Sequence, residues 1–133
     1  MKGLLKIDAI MHRVKDLEAA TKFYTEVMGL RVGWTDNENE MIGLLFPENN
    51  SELVIHTDKT LKNPSYSFSV ENVEEFCKTY KEKGQTVIVE PFDVRCGKYA
   101  ILQDPDGNTL EIIDLTKYGG TPRYDEGVKP PNP

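Results

Sequence analysis

Glu111 stands in the run Asp104-Pro105-Asp106-Gly107-Asn108-Thr109-Leu110-Glu111-Ile112-Ile113-Asp114, where a tight turn feeds directly into a strand. Proline pre-sets a turn φ, Gly107 supplies the positive-φ position, and the Asp and Asn side chains bond back to the backbone. Side chains alternate along the strand that follows, so Leu110 and Ile112 point one way and Thr109, Glu111 and Ile113 the other. A carboxylate on that less apolar face can exchange a proton or hold a cation if the face lines a pocket, and is a surface acid if it meets water. The cysteines offer less chemistry. Cys77 lies on an apolar helical stripe and reads as packing. Cys96, with only Arg95 and Lys98 for basic neighbours, reads as a reduced structural thiol, and the pair has neither disulfide-framework nor zinc-site spacing.

The chain that must position these groups has 133 residues, enough for one domain with a single core and no staple. Sixteen Lys and Arg against 22 Asp and Glu leave a net charge of −6, and the basic residues are scattered, which excludes nucleic acid as a partner. No run of about 18 apolar residues and no signal-peptide pattern is present, so no membrane association is expected and a soluble, cytoplasmic protein is.

Leu4 to Val14 reads as a strand, with Leu5, Ile7, Ala9 and Met11 on one parity and Ile10, His12 and Val14 on the other. Asp16 is the N-cap of a helix to about Met28, whose stripe is Leu17, Ala20, Tyr24, Val27 and Met28, and Gly29 stops it. Strands follow at Leu30 to Trp34, Met41 to Phe46 and Leu53 to Thr57. The same grammar then recurs: a strand from Tyr66 to Val70, a capping box at Asn72 and Glu75, and a helix with Val73, Phe76, Cys77 and Tyr80 as its stripe. After Gly84 come strands at Thr86 to Val89, Lys98 to Leu102 and Thr109 to Asp114. Val14 to Val70 and Asp16 to Asn72 are each 56 residues apart, and Gly29 to Gly84 is 55. Two βαβββ modules, about 4–58 and 65–115, are the simplest account, within a single domain over 1–116. The Gly- and Pro-rich tail, 117–133, has no periodicity and is expected to be an extended arm or disordered.

The residues Val14-Lys15-Asp16-Leu17-Glu18, Phe23-Tyr24 and Gly29-Leu30, the half-repeat, and the ending Asp104-Pro105-Asp106-Gly107-Asn108 with Leu110-Glu111 resemble the vicinal oxygen chelate superfamily. That group includes glyoxalase I, extradiol dioxygenases, fosfomycin-resistance enzymes and the metal-free bleomycin-binding proteins. The resemblance, over residues 4–115, implies an α+β fold in which two tandem modules form a curved, incomplete barrel around a cavity, often completed by a second chain. It also implies four inward metal ligands, which fall on Ala9, His56, Ser65 and Glu111. Ala9 to Ser65 is 56 residues and His56 to Glu111 is 55, in keeping with the repeat. Ala and a neutral Ser cannot replace imidazoles, and catalytic metal sites use about three protein ligands, so no bound metal is expected. His12 has the opposite parity to Ala9, and only a bulge would turn it inward.

Arg13 shares the parity of Ala9 and Met11. In glyoxalase I an arginine at this motif position contacts the glutathione carboxylate of the substrate, so Arg13 suits an anionic group, against the plainer reading of a surface ion pair. Leu44, Phe46, Tyr99 and Ile101 fall on the inferred inward parity with Ser65 and Ser67 beside them, a mixture that fits a small-molecule site or an ordinary core equally. Trp34, the one tryptophan, is a stacking platform or a core residue. The expected ligand-binding set is therefore Arg13, His56, Glu111, Ser65, Ser67, Tyr99, Trp34 and Phe46. The expected function is binding of a small organic molecule, an anion among the candidates, by a metal-free homodimer. The alternatives are a divergent metal-dependent lyase, isomerase or dioxygenase using His56 and Glu111, and an accessory domain with a filled cavity.

Overall fold

Each helix starts at the residue that the sequence nominates. The Asp16 carboxylate accepts from the Ala19 N–H (3.0 Å) and the Asn72 side chain from the Glu75 N–H (2.9 Å), satisfying donors that a helix start leaves unpaired. The structure, a computed structural model, describes residues 2–131. It divides the chain into two units: module one, of Ala9–Tyr66 with Arg123–Pro133, and module two, of Ser67–Pro122 with Met1–Asp8.

Module one contains β1 (Lys6–Arg13, from Ala9 onward), α1 (Leu17–Lys22), β2 (Arg31–Asp36), β3 (Met41–Leu45) and β4 (Glu52–His56). Its strands lie in the order β2-β3-β4-β1, with β1 parallel to β4 and the other pairs antiparallel. Val14, Leu17, Ala20 and Tyr24 pack on buried Leu44, Leu53 and Ile55, so the first part of the predicted stripe covers one face of this sheet, while Val27 and Met28, expected on the same stripe, lie exposed past the point where the helix widens. After Lys22 the helix widens into a π turn, Phe23–Val27. The hydroxyls of Thr21 and Thr25 donate back to the Leu17 (2.7 Å) and Thr21 (2.9 Å) carbonyls, a competition that loosens α-helical bonding. Gly29 ends the element at φ 79°.

Module two repeats the plan with β5 (Ser65–Ser69, from Ser67 onward), α2 (Val73–Glu82), β6 (Thr86–Asp93), β7 (Lys98–Gln103) and β8 (Thr109–Ile113), in the order β5-β8-β7-β6. Val73, Phe76, Cys77 and Tyr80 of α2 pack on Ala100, Leu102 and Ile112. β6 runs further than the Val89 end indicated by the sequence. It is an edge strand, where Pro91 withholds no needed N–H and two register shifts are absorbed.

Asp114, only 1% exposed, ties this unit together. Its Oδ2 accepts from the Val73 N–H at the start of α2 (2.7 Å), and Oδ1 from the Lys98 N–H (2.9 Å) and the Thr116 hydroxyl (2.7 Å). A Cβ on Gly97 would lie 2.1 Å from Oδ1, so only glycine lets the loop close over this carboxylate. The tail does not lie loose. Within module one the Asp125 N–H donates to the Gly33 carbonyl (2.8 Å), and the Asp125 carboxylate accepts from the Thr35 N–H (3.2 Å) and hydroxyl (3.0 Å). Asp114→Ala strands several buried donors at once and is expected to lower stability by about 3 kcal/mol or more, read by urea unfolding.

Candidate functional site

In module two the polar residues converge through strand register. Ile101 lies opposite Glu111, and Tyr99, two residues along on the same face, reaches diagonally across so that its hydroxyl donates to Glu111 Oε1 (2.5 Å). Ser67 lies opposite Glu111 on the other side. Its hydroxyl donates to Asp8 Oδ2 (3.2 Å), and that of Ser69 donates to Asp8 Oδ1 (3.3 Å). Burial pushes the Asp8 carboxyl above the usual carboxylate range, against the pull of the Lys6 charge and the two serine bonds. Burial, and then the Glu111 charge, push the Tyr99 phenol well above its ordinary value, which makes Tyr99 a fixed donor. The result is a carboxylate already held by its own proton donor, beside a carboxyl that takes up a proton readily.

In module one a bulge sets the site. Val32 pairs with Leu44 and Trp34 with Gly43, which leaves Gly33 as an extra residue. Val32 therefore packs on the helix side while Trp34 joins Ala9, Met11 and Val54 on the opposite face. Gly43 makes room for the indole: a Cβ there would come within 2.0 Å of Trp34 Nε1. The indole N–H donates to Glu52 Oε1 (2.8 Å). Glu52, Val54 and His56 share this face by strand alternation.

His56 is fully buried. Its Nδ1 accepts from the Asp58 N–H (3.1 Å), so in the neutral ring Nε2 carries the proton. That Nε2 is buried with no hydrogen-bond partner among the described residues, a deficit worth about 1–3 kcal/mol. Burial pulls the imidazole below its ordinary value; the Asp58 carboxylate opposes this and the Arg13 guanidinium adds to it. Arg13 stands opposite His56 on β1, and its guanidinium donates to the Lys59 (3.3 Å) and Leu61 (3.1 Å) carbonyls.

The structure thus brings Glu111, Tyr99 and Ser67 together in module two. It puts His56, Arg13 and Trp34 on one face of module one, with Ser65 buried in the same unit. Phe46 and Leu44 are corrections. Leu44 pairs with Leu53 and both pack under α1 with Phe46, so these side chains face the helix. The correspondence between His56 and Glu111 is also corrected. Met11 pairs with Val54 and Ser67 with Glu111, while the Val14 N–H bonds the His56 carbonyl and the Val70 N–H that of Ile113. The repeat equivalent of Glu111 is therefore Val54, and His56 stands one step further along its strand. His12 lies on the helix side, as parity predicts, with Nδ1 3.4 Å from the Tyr24 hydroxyl.

Asp8, Glu52 and Asp125 join these surroundings, as does Tyr124, which packs against the group of Ala9, Met11, Trp34 and Val54. Glu52 was legible from its parity with His56, but nothing local marked the other three. The residues present do not suit the metal that the family pattern implies. Ala9 and Val54 carry no donor atom, and His56 in its hydrogen-bonded tautomer offers Nε2–H where a metal requires a lone pair. Among the described residues no group of three or more His, Cys, Asp or Glu side chains is placed to hold an ion.

Residues 6–112 match the family model described as Glyoxalase/Bleomycin resistance protein/Dioxygenase superfamily. The chain belongs to that superfamily. This superfamily member is 30% identical to the protein YraH of Bacillus subtilis (strain 168) over 127 residues, 84% of this chain and 99% of that one. It is 31% identical to the lactoylglutathione lyase of Escherichia coli O157:H7 over 119 residues, 78% and 88% of the two chains. Among solved structures, a Streptomyces coelicolor methylmalonyl-CoA epimerase in complex with 2-nitronate-propionyl-CoA matches with a TM-score of 0.63 at 21% identity, over 83% of this chain and 96% of that one. That likeness is one of fold. No helix among the described residues is long and apolar enough to cross a membrane.

Two consequences can be measured. Because folding lowers the His56 pKa, the unfolded chain takes up the proton first as pH falls below about 6.5, and stability falls with it through the folded value. His56→Leu is expected to shrink the stability difference between about pH 7.5 and about pH 5.5, read by urea unfolding. Gly43→Ala is expected to displace the indole, costing about 1–3 kcal/mol and red-shifting the Trp34 emission.

Proposed function

We propose that this superfamily member binds a small organic molecule, as a homodimer and without a resident metal ion. The observation that carries this reading is the buried Nε2–H of His56, a hydrogen-bond donor on the strand face that it shares with Val54, where Val54 packs with Met11 and Trp34 in an apolar and aromatic group. A ligand oxygen, whether carbonyl or carboxylate, satisfies that donor, and an apolar body satisfies the walls. The missing donors at Ala9 and Val54 support the same reading, since an ion held elsewhere in the family by several side chains has few to hold it here. Taken by itself, module two carries a polar group of fixed donor and acceptor character in the Tyr99–Glu111 pair and Ser67. Exposed Leu4, Leu5 and Ile7 are apolar surface of the kind that a second copy covers.

Native mass spectrometry with elemental analysis of the purified protein tests this directly. The expected result is a dimer without stoichiometric divalent metal. Aromatic carboxylates such as benzoate are expected to raise its melting temperature equally with and without a chelator, and His56→Leu to weaken that binding about tenfold. Stoichiometric metal that disappears in His56 or Glu111 variants would overturn the reading in favour of a metal-dependent lyase, isomerase or dioxygenase.

A further inference from the structure

The surface of module one that carries Trp34 and His56 is partly taken by the chain itself. Tyr124 packs against Ala9, Met11, Trp34 and Val54, together with Met41 and Leu61. The next residue, Asp125, fastens the segment to β2, the outer strand of this unit, at the bulge that turns Trp34 toward this face. Its N–H bond to the Gly33 carbonyl is of the kind that strand neighbours make, and the two bonds that its carboxylate accepts from Thr35 are solvent-exposed. Beyond them the segment turns back on itself through the Val128 N–H and the Asp125 carbonyl (3.0 Å) and continues through Gly127, Pro130 and Pro131, a composition that favours no regular element.

We propose that residues 123–131 are a strap gating this face, with Asp125 as its latch and Tyr124 as a ring occupying the place of the ligand's own ring. The inference rests on the reading of the His56 face as a ligand site. Its added content is the ligand class and the route in: an aromatic molecule bearing an oxygen acceptor, admitted when the strap releases. The chemistry matches on both sides. Tyr124 shows that the apolar group accepts an aromatic ring, while the His56 N–H on the strand face shared with Val54 has no acceptor among the described residues. A ligand ring carrying a carboxylate or sulfonate meets both demands, and the same apolar area cannot hold its ring and that of Tyr124 together.

Hydrogen exchange on the full chain tests the latch without any ligand. Asp125→Ala is expected to speed exchange of the Thr35 amide about tenfold and to red-shift the Trp34 emission. Binding of 1-anilinonaphthalene-8-sulfonate, an aromatic sulfonate, with benzoate as competitor, tests the gate. Its affinity is expected to rise about fivefold in Asp125→Ala, and adding His56→Leu is expected to remove that gain. Tyr124→Ala, which leaves the latch intact, carries the same affinity test if Asp125→Ala fails to fold. Unchanged Thr35 exchange and probe affinity would overturn the strap. Weaker probe binding in both variants would also overturn it, by making the segment a fixed wall of the site. Faster exchange with unchanged affinity would overturn the gating while leaving the metal-free reading standing, since metal content is measured on the unaltered chain.

Discussion

A single buried carboxylate organises module two. Asp114 gathers backbone donors from the start of α2, the start of β7 and the turn after β8, so three elements distant in sequence are fixed to one atom group. Charge-assisted bonds of this kind tolerate little movement, because each displaced donor would be left without a partner in a water-poor interior. The strands held in this way are those that carry Tyr99 and Glu111. Their short hydrogen bond depends on a diagonal reach between β7 and β8, and the reach depends on the register that Asp114 helps to set.

Module one has the same architecture and the opposite polar economy. Its helix is capped by Asp16 but is short and ends in a π turn. Asp58, just past its last strand, holds its own turn with Thr60 and donates its N–H to the His56 ring. Where module two satisfies its inward acid with a tyrosine, module one leaves an imidazole N–H unmet. One copy of the plan closes its polar network, and the other keeps an open valence. An open valence in an apolar surround is what a binding site looks like before its ligand arrives.

Much of this was legible in the residues. The caps at Asp16 and Asn72, the stops at Gly29 and Gly84, and the Asp104 turn, where Oδ1 and Oδ2 receive the Asn108 backbone and side-chain N–H groups (2.8 Å each), are local chemistry and follow from residue type. Counting across strands placed Tyr99, Ser67 and Glu111 on one face and failed where loop lengths differ between the halves. An offset of 55 between His56 and Glu111 looked like the repeat, yet loops of unequal length make residue number a poor guide to register, and the ladders align Val54 with Glu111. Counting also misplaced Phe46, because parity carried forward from one strand says nothing about the next once a turn intervenes. The bulge at Gly33 could not be foreseen from alternation, since its effect is to break it. Asp8 and Asp125 act through partners more than fifty residues away and leave no local trace.

Gly43 and Trp34 form one unit of shape. The indole lies across a strand where the missing side chain leaves a flat floor, so neither position can vary alone without a collision or a void. In a set of homologues the two should change together, a small residue on β3 accompanying a broad ring on β2. Exchanging the pair for a larger residue on β3 and a smaller one on β2 would move the same volume from one strand to its neighbour. The depth of that face is thereby adjustable by reciprocal substitution, with the rest of the sheet untouched.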